Sequence, residues 1–157
     1  MGIDPGTTRV GYGVIRKQAG VLSYIDAGLI SVGNGEYLER LVRLDHNLSK
    51  TIKRFNPVIC GVEKLFFTKN KKTALMVAEA RGVVVSNLMR HKVQVRELTP
   101  SEVKIGVSGD GRASKDGVAK MVGYFLSISV DNLLDDVTDA LAIAITASSY
   151  LPPTNKP

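Results

Sequence analysis

Apolar and polar positions alternate near the start of the chain. A short apolar lead ends at Asp4, the turn residues Pro5 to Thr8 follow, and then Val10, Tyr12 and Val14 recur at every second position, the period of a half-buried strand. Gln18, Ala19 and Gly20 turn the chain, and "VLSYIDAGLIS" continues as a third strand, so the first thirty residues predict a three-stranded meander. The period then changes. Tyr37, Leu41, Leu44, Leu48, Ile52 and Phe55 recur at intervals of three and four, which predicts an amphipathic helix from Glu36 to Phe55 that Pro57 stops. "VICGVE" is too continuously apolar for an edge strand and belongs in the sheet interior, ending on Glu63.

The next long element, "KTALMVAEARGVVVSNLMRH", is apolar most of the way round and needs more than one neighbour as a helix. The sheet supplies one cover. A second copy of the chain supplies the other, which predicts a homodimer through the helix around Ala74–His91, although a core helix in a monomer satisfies the pattern equally. "VQVREL" is a fifth strand, and Thr99-Pro100-Ser101-Glu102 reads as a capping box opening a short helix that carries Lys104. "GVSGDGRASK" reads as a mobile glycine loop bearing Arg112 and Lys115. Val118, Met121, Val122, Phe125 and Leu126 resume a helical stripe, and "DDVTDALAIAITASSYL" closes the chain as a final helix for which Asp135 is the expected N-cap. The fold class is therefore α/β, with a mixed five-stranded sheet flanked by helices: one domain over residues 1–151 and a flexible tail over 152–157.

Charge adds a direction. Twenty-one Lys and Arg against fifteen Asp and Glu leave a net charge of +6, concentrated in "KTIKRF" and "EKLFFTKNKK", so phosphate-bearing partners become plausible. With one cysteine, Cys60, the chain has no intrachain disulfide; neither a signal peptide nor a membrane span is visible, and the expectation is a soluble cytoplasmic protein.

Most acids lie where water is expected. Four do not: Asp4 on the first strand, Glu63 at the end of the buried strand, and Asp136 with Asp139 sharing one face of the last helix. Taken singly, each is as well explained as a turn or cap residue. Crowded together among apolar neighbours they would repel one another, and a site that gathers such groups usually holds a cation. Oxygen-only ligation points to Mg²⁺ or Mn²⁺.

Five segments, "GIDPGTTRVGYGVI", "VEKLFFTKNKKTALMVAEARG", "LTPSEVK", a lysine eleven positions later and "DDVTDALAIAI", resemble in order and spacing the RuvC family of Holliday junction resolvases. The resemblance spans nearly the whole chain. It implies a ribonuclease H-like fold, a homodimer, two Mg²⁺ ions per active site, and paired nicks in two opposed strands of four-way junction DNA that leave 5′-phosphates. It also implies that Asp4, Glu63, Asp136 and Asp139 are metal ligands, that Lys104 and Lys115 are active-site lysines, and that Phe66 enters the junction core. Beside Phe66 stand Phe67, Lys64, Lys69, Lys71 and Lys72, so stacking and phosphate contacts are available from one loop, with Arg112 as a further DNA contact. A branch-migration helicase complex of the RuvA–RuvB type is the implied partner. An actin- or Hsp70-like ATPase also has an aspartate followed by Gly-Thr-Thr in its first phosphate loop, but needs two related lobes and a second glycine-rich phosphate loop, which 157 residues cannot supply. The alternative that residue types leave open is another ribonuclease H-like nuclease acting on RNA or on other branched DNA.

Overall fold

The structure is a computed structural model that describes residues 1–6, 8–64 and 71–151, with the side chains of 71–73 excepted. Phe66, Phe67, Lys69, the side chains of Lys71 and Lys72, and the tail 152–157 lie outside the described residues. In chain order the elements are β1 (Gly2–Pro5), β2 (Val10–Gln18), β3 (Val21–Ile30), α1 (Tyr37–Phe55), β4 (Ile59–Glu63), α2 (Lys71–Arg90), β5 (Gln94–Leu98), α3 (Pro100–Ser108), α4 (Lys115–Leu126) and α5 (Asp135–Ser148). The sheet has the order β3-β2-β1-β4-β5. β1, β2 and β3 form the antiparallel meander, while β1–β4 and β4–β5 are parallel, so the sheet is mixed and β4 is interior, as its continuous apolar run requires.

The pleat divides the side chains between two layers. Ile3, Val10, Val14, Cys60 and Val62 point to one face and pack with Leu44, Leu48 and Ile52 of α1 and Ala80, Val84 and Leu88 of α2. Within that layer Asn87 is fully buried, and its amide donates to the Asp45 carbonyl, the Asp45 carboxylate and Ser49 Oγ, locking α1 to α2.

The other face belongs to α5. Eleven of its fourteen residues are buried, because α3 and α4 cover the sides that the sheet does not. Its buried hydroxyls fold back on their own helix, Thr146 Oγ1 to the Ala142 carbonyl at 3.0 Å and Ser148 Oγ to that of Ile145 at 2.7 Å. α5 comes unusually close to the strands because glycines floor its seat. A Cβ on Gly11 would fall on the Asp136 carbonyl oxygen, one on Gly2 would meet Ala140 and Ala144, and one on Gly61 would lie 2.7 Å from Ile143 Cγ2.

Two local expectations change and a third holds. Leu134, not Asp135, is the N-cap of α5; Asp135 is the first helical residue, where the helix dipole favours an acid as well as a capping oxygen would be favoured one position earlier. Lys115 is not carried on a loop. Ser114 accepts from the Gly117 N–H and starts α4, making Lys115 its first residue, so the loop between α3 and α4 spans only 109–114. The capping box at Thr99 is present in full: Glu102 N–H donates to Thr99 Oγ1 at 3.1 Å and the Thr99 N–H donates to Glu102 Oε2 at 2.7 Å.

Candidate active site

Each of the two strand acids follows a glycine by two positions. Gly2 and Asp4 therefore share a face of β1, and Gly61 and Glu63 share a face of β4. The glycines admit α5 close to the sheet, and the acids emerge beside it at the carboxyl ends of two adjacent parallel strands. The first turns of α5 bring Asp135, Asp136 and Asp139 to the same end. Beyond Asp139 the helix carries no charge, since a charge there would be buried against strand or helix.

A cavity of about 210 Å³ opens at this end, lined among others by Glu63, Lys104, Lys115 and Asp139. α3 delivers Lys104 and the N-terminus of α4 delivers Lys115. Arg112 is exposed on the loop between α3 and α4 and does not line the cavity, and Lys64 is exposed just past β4.

The acids feel one another. Burial first, then the charges of Glu63, Asp139 and Asp136, pushes the Asp4 carboxyl from 3.8 up to about 7. Burial, with Asp139 second, raises Glu63. Burial also raises Asp139, against the lowering effect of Lys115. Lys115 itself loses something to burial, but its hydrogen bonds to Asp139 and Asp135 outweigh that and raise it. Its Nζ stands 3.1 Å from Oδ2 of each aspartate. Arg9 Nε is 3.1 Å from Asp136 Oδ2. Among the described residues no three acidic, histidine or cysteine side chains already stand together as a metal-binding cluster. The acids form an electrostatically coupled set instead, and basic side chains hold two of its members.

Three participants escape the sequence pattern: Arg9, Asp135 and Arg81, whose Nε donates to the Glu63 carbonyl at 3.0 Å. Arg81 alone left a signal, a lone cation on a helical stretch flanked by Ala80 and by Gly82 and Val83.

The comparison with known proteins bears directly on this arrangement. The family model for crossover junction endodeoxyribonuclease RuvC matches residues 1–147. This chain belongs to the RuvC family. The RuvC of Brachyspira hyodysenteriae is 41% identical over 150 residues, covering 95% of this chain and 92% of the relative, and that of Moorella thermoacetica is 41% identical over 153 residues, covering 97% and 92%. Among solved structures, Thermus thermophilus RuvC in complex with a Holliday junction substrate superposes with a TM-score of 0.87 at 32% identity, covering 95% of this chain and 92% of that one. The yeast mitochondrial Holliday junction resolvase Ydc2 shares the fold, with a TM-score of 0.65 at 16% identity. RuvC relatives thus match the chain across all five strands and the α5 helix that carries three of its acids.

Proposed function

We propose that this chain is a metal-dependent, structure-selective DNA endonuclease that resolves Holliday junctions by paired symmetric nicks in two opposed strands. The observation that carries the reading is the convergence of Glu63, Asp139, Lys104 and Lys115 on one cavity, with Asp4 electrostatically coupled to both acids. Four separate segments of the chain meet there.

The donor set fits hard divalent cations. Asp4, Glu63, Asp136 and Asp139 offer only carboxylate oxygens, and the raised Asp4, Glu63 and Asp139 mark a place where positive charge would relieve burial and mutual repulsion. Mg²⁺ is the expected ion, two per site, with Mn²⁺ able to substitute. When bound, such ions supply Lewis-acid activation of a water and stabilisation of the leaving 3′-oxygen in an in-line displacement.

The chain's own residues do the rest. Asp4 and Glu63, fixed on strands, set the floor of the site. Asp136 and Asp139, one helical turn apart, set its wall. Lys104 and Lys115 face the scissile phosphate and offset the negative charge that grows on its oxygens, and because Lys115 rides on a helix start, its position is set before DNA arrives. Asp135 and Asp139 hold its ammonium meanwhile.

A four-way junction presents two strands of like polarity related by a two-fold axis, which a symmetric dimer matches. Leu75 and Met89, respectively 63% and 60% exposed on α2, belong to the surface proposed for that dimer. Phe66 or Phe67 would enter the junction core, and Lys64, Lys69, Lys71, Lys72 and Arg112 would contact phosphates. A branch-migration helicase complex is the proposed partner. No helix among the described residues is long and apolar enough to cross a membrane; the DNA substrate proposed here supports a cytoplasmic location.

The test is incubation of a synthetic mobile four-way junction with Mg²⁺. The wild type should make paired nicks at symmetric positions, while Asp4→Asn and Glu63→Gln bind without cutting. Equal cutting by all three overturns the site assignment. Cutting of RNA hybrids or other branched DNA in preference to the junction overturns the substrate.

A further inference from the structure

β4 ends at Glu63, and its two neighbours treat that end differently. Pairing with β1 stops at Ile3↔Val62, whereas pairing with β5 reaches Glu63↔Leu98 and is prolonged by the Lys64 N–H, which donates to the Leu98 carbonyl at 2.7 Å. The Glu63 carbonyl is taken by a side chain. Arg81, from the helix on the face of the sheet opposite α5, donates its Nε–H to that oxygen at 3.0 Å and an Nη2–H to the carboxylate of Glu97. Glu97 lies on β5 opposite Val62 in the parallel register. With 19% of its side chain exposed, Arg81 is held between two strands and its own helix.

We propose that Arg81 is a positioning residue for the nuclease site: it grips the main chain of Glu63 and thereby fixes where that carboxylate stands relative to Asp4 and Asp139. The inference rests on the nuclease reading, in which Glu63 is a metal ligand. The chemistry requires a guanidinium. Its separate donors form a rigid planar fork that holds a carbonyl and a carboxylate in fixed directions, whereas a lysine ammonium is a single point charge on a flexible stem and fixes neither partner's direction. Metal sites depend on such supporting contacts, because a ligand whose backbone drifts loses its share of the ion while its own chemistry is unchanged. Arg81 also ties α2, the helix proposed for the dimer interface, to a residue of the cutting site, so a shift of that helix would be felt at Glu63.

The test uses the full chain and a synthetic four-way junction, with three readings: the single-turnover cutting rate at saturating enzyme, the junction affinity without metal, and the Mg²⁺ concentration giving half the maximal rate. Arg81→Lys should cut roughly 10 to 100-fold more slowly and need several-fold more Mg²⁺, with junction affinity within about twofold of wild type. Glu97→Gln, which keeps an acceptor for Arg81, should stay within about threefold, and Glu97→Ala should be slower than Glu97→Gln with affinity again unchanged. A merely structural role would lower the melting temperature and leave the Mg²⁺ requirement of the folded fraction alone. Wild-type cutting by Arg81→Lys, or a rate loss matched by an equal loss of junction affinity, overturns the inference. If Arg81→Lys does not fold, Glu97→Ala decides: an unchanged rate and Mg²⁺ requirement overturn it. A wild type that leaves the junction whole overturns the nuclease reading as well, which separates the two failures.

Discussion

Replacing Asp4 by Asn should make the metal-free protein more stable while abolishing cutting. The Asp4 carboxyl is raised from 3.8 in the unfolded chain to about 7 in the fold, first by burial and then by Glu63, Asp139 and Asp136. The folded state therefore holds the proton more tightly than the unfolded state does. The stabilisation this gives is fully present below pH 3.8 and is lost as pH rises through about 7. A shift of about three units corresponds to about 4 kcal/mol at pH 8 and somewhat under half of that at pH 5. Asn carries no charge at either pH, so Asp4→Asn should exceed wild type by up to about 4 kcal/mol at pH 8, the upper bound because the amide also needs partners. For a chain of this length that corresponds to a melting temperature higher by up to about 8 to 16 °C. Scanning calorimetry in EDTA at pH 5 and pH 8 measures both values. Adding Mg²⁺ should raise the wild-type melting temperature by the binding linkage, about 2.7 kcal/mol at one hundred times Kd, and raise that of Asp4→Asn far less. A variant less stable than wild type at pH 8, or an equal difference at the two pH values, would refute the electrostatic account of this site.

Gly11→Ala should cost at least about 3 kcal/mol by urea denaturation and abolish cutting in whatever folds, because the added methyl strikes the Asp136 carbonyl and α5 must lift. Lys115→Ala should slow single-turnover cutting by about 10²–10³-fold, the scale for removing one group that stabilises developing charge, with junction affinity little changed. Thr99→Ala should cost about 1 kcal/mol of stability by the same denaturation assay, since it breaks one half of the capping box at the start of the helix that carries Lys104. At limiting Mg²⁺ the cutting rate should rise with pH through about 7, because the ion must displace the proton that Asp4 holds; a flat profile from pH 6 to 8 would exclude Asp4 as a ligand that titrates there.

The elements most legible in the sequence were those whose period and boundaries agreed. The α1 stripe from Tyr37 to Phe55 needed only the spacing and Pro57, and all six of its residues lie on the covered side. The meander followed from alternation and turn residues. The sequence leaves Asp135 ambiguous by one position because an acid is favoured both at an N-cap and in the first turn, two preferences that composition cannot separate. The three glycines before Lys115 point to a loop and mask the Ser114 cap, which lacks the Glu of a capping box. Asp4 and Glu63 could be singled out by their apolar surroundings, but their proximity could not. It depends on β1 and β4 being neighbours although more than fifty residues apart, a fact of strand order. The contacts of Arg9 and Arg81 are likewise products of tertiary pairing: Arg9 carries no local mark, and the apolar flanks of Arg81 single it out without naming its partners.

The bare patches under α5 have a mechanical meaning. Main chain rests there against main chain, so the separation between the strand-borne pair of acids and the helix-borne pair is governed by stiff covalent surfaces and not by rotamers that soften on warming. Heating should therefore leave the gauge of the candidate site nearly constant up to the melting transition, and activity should vanish together with the fold.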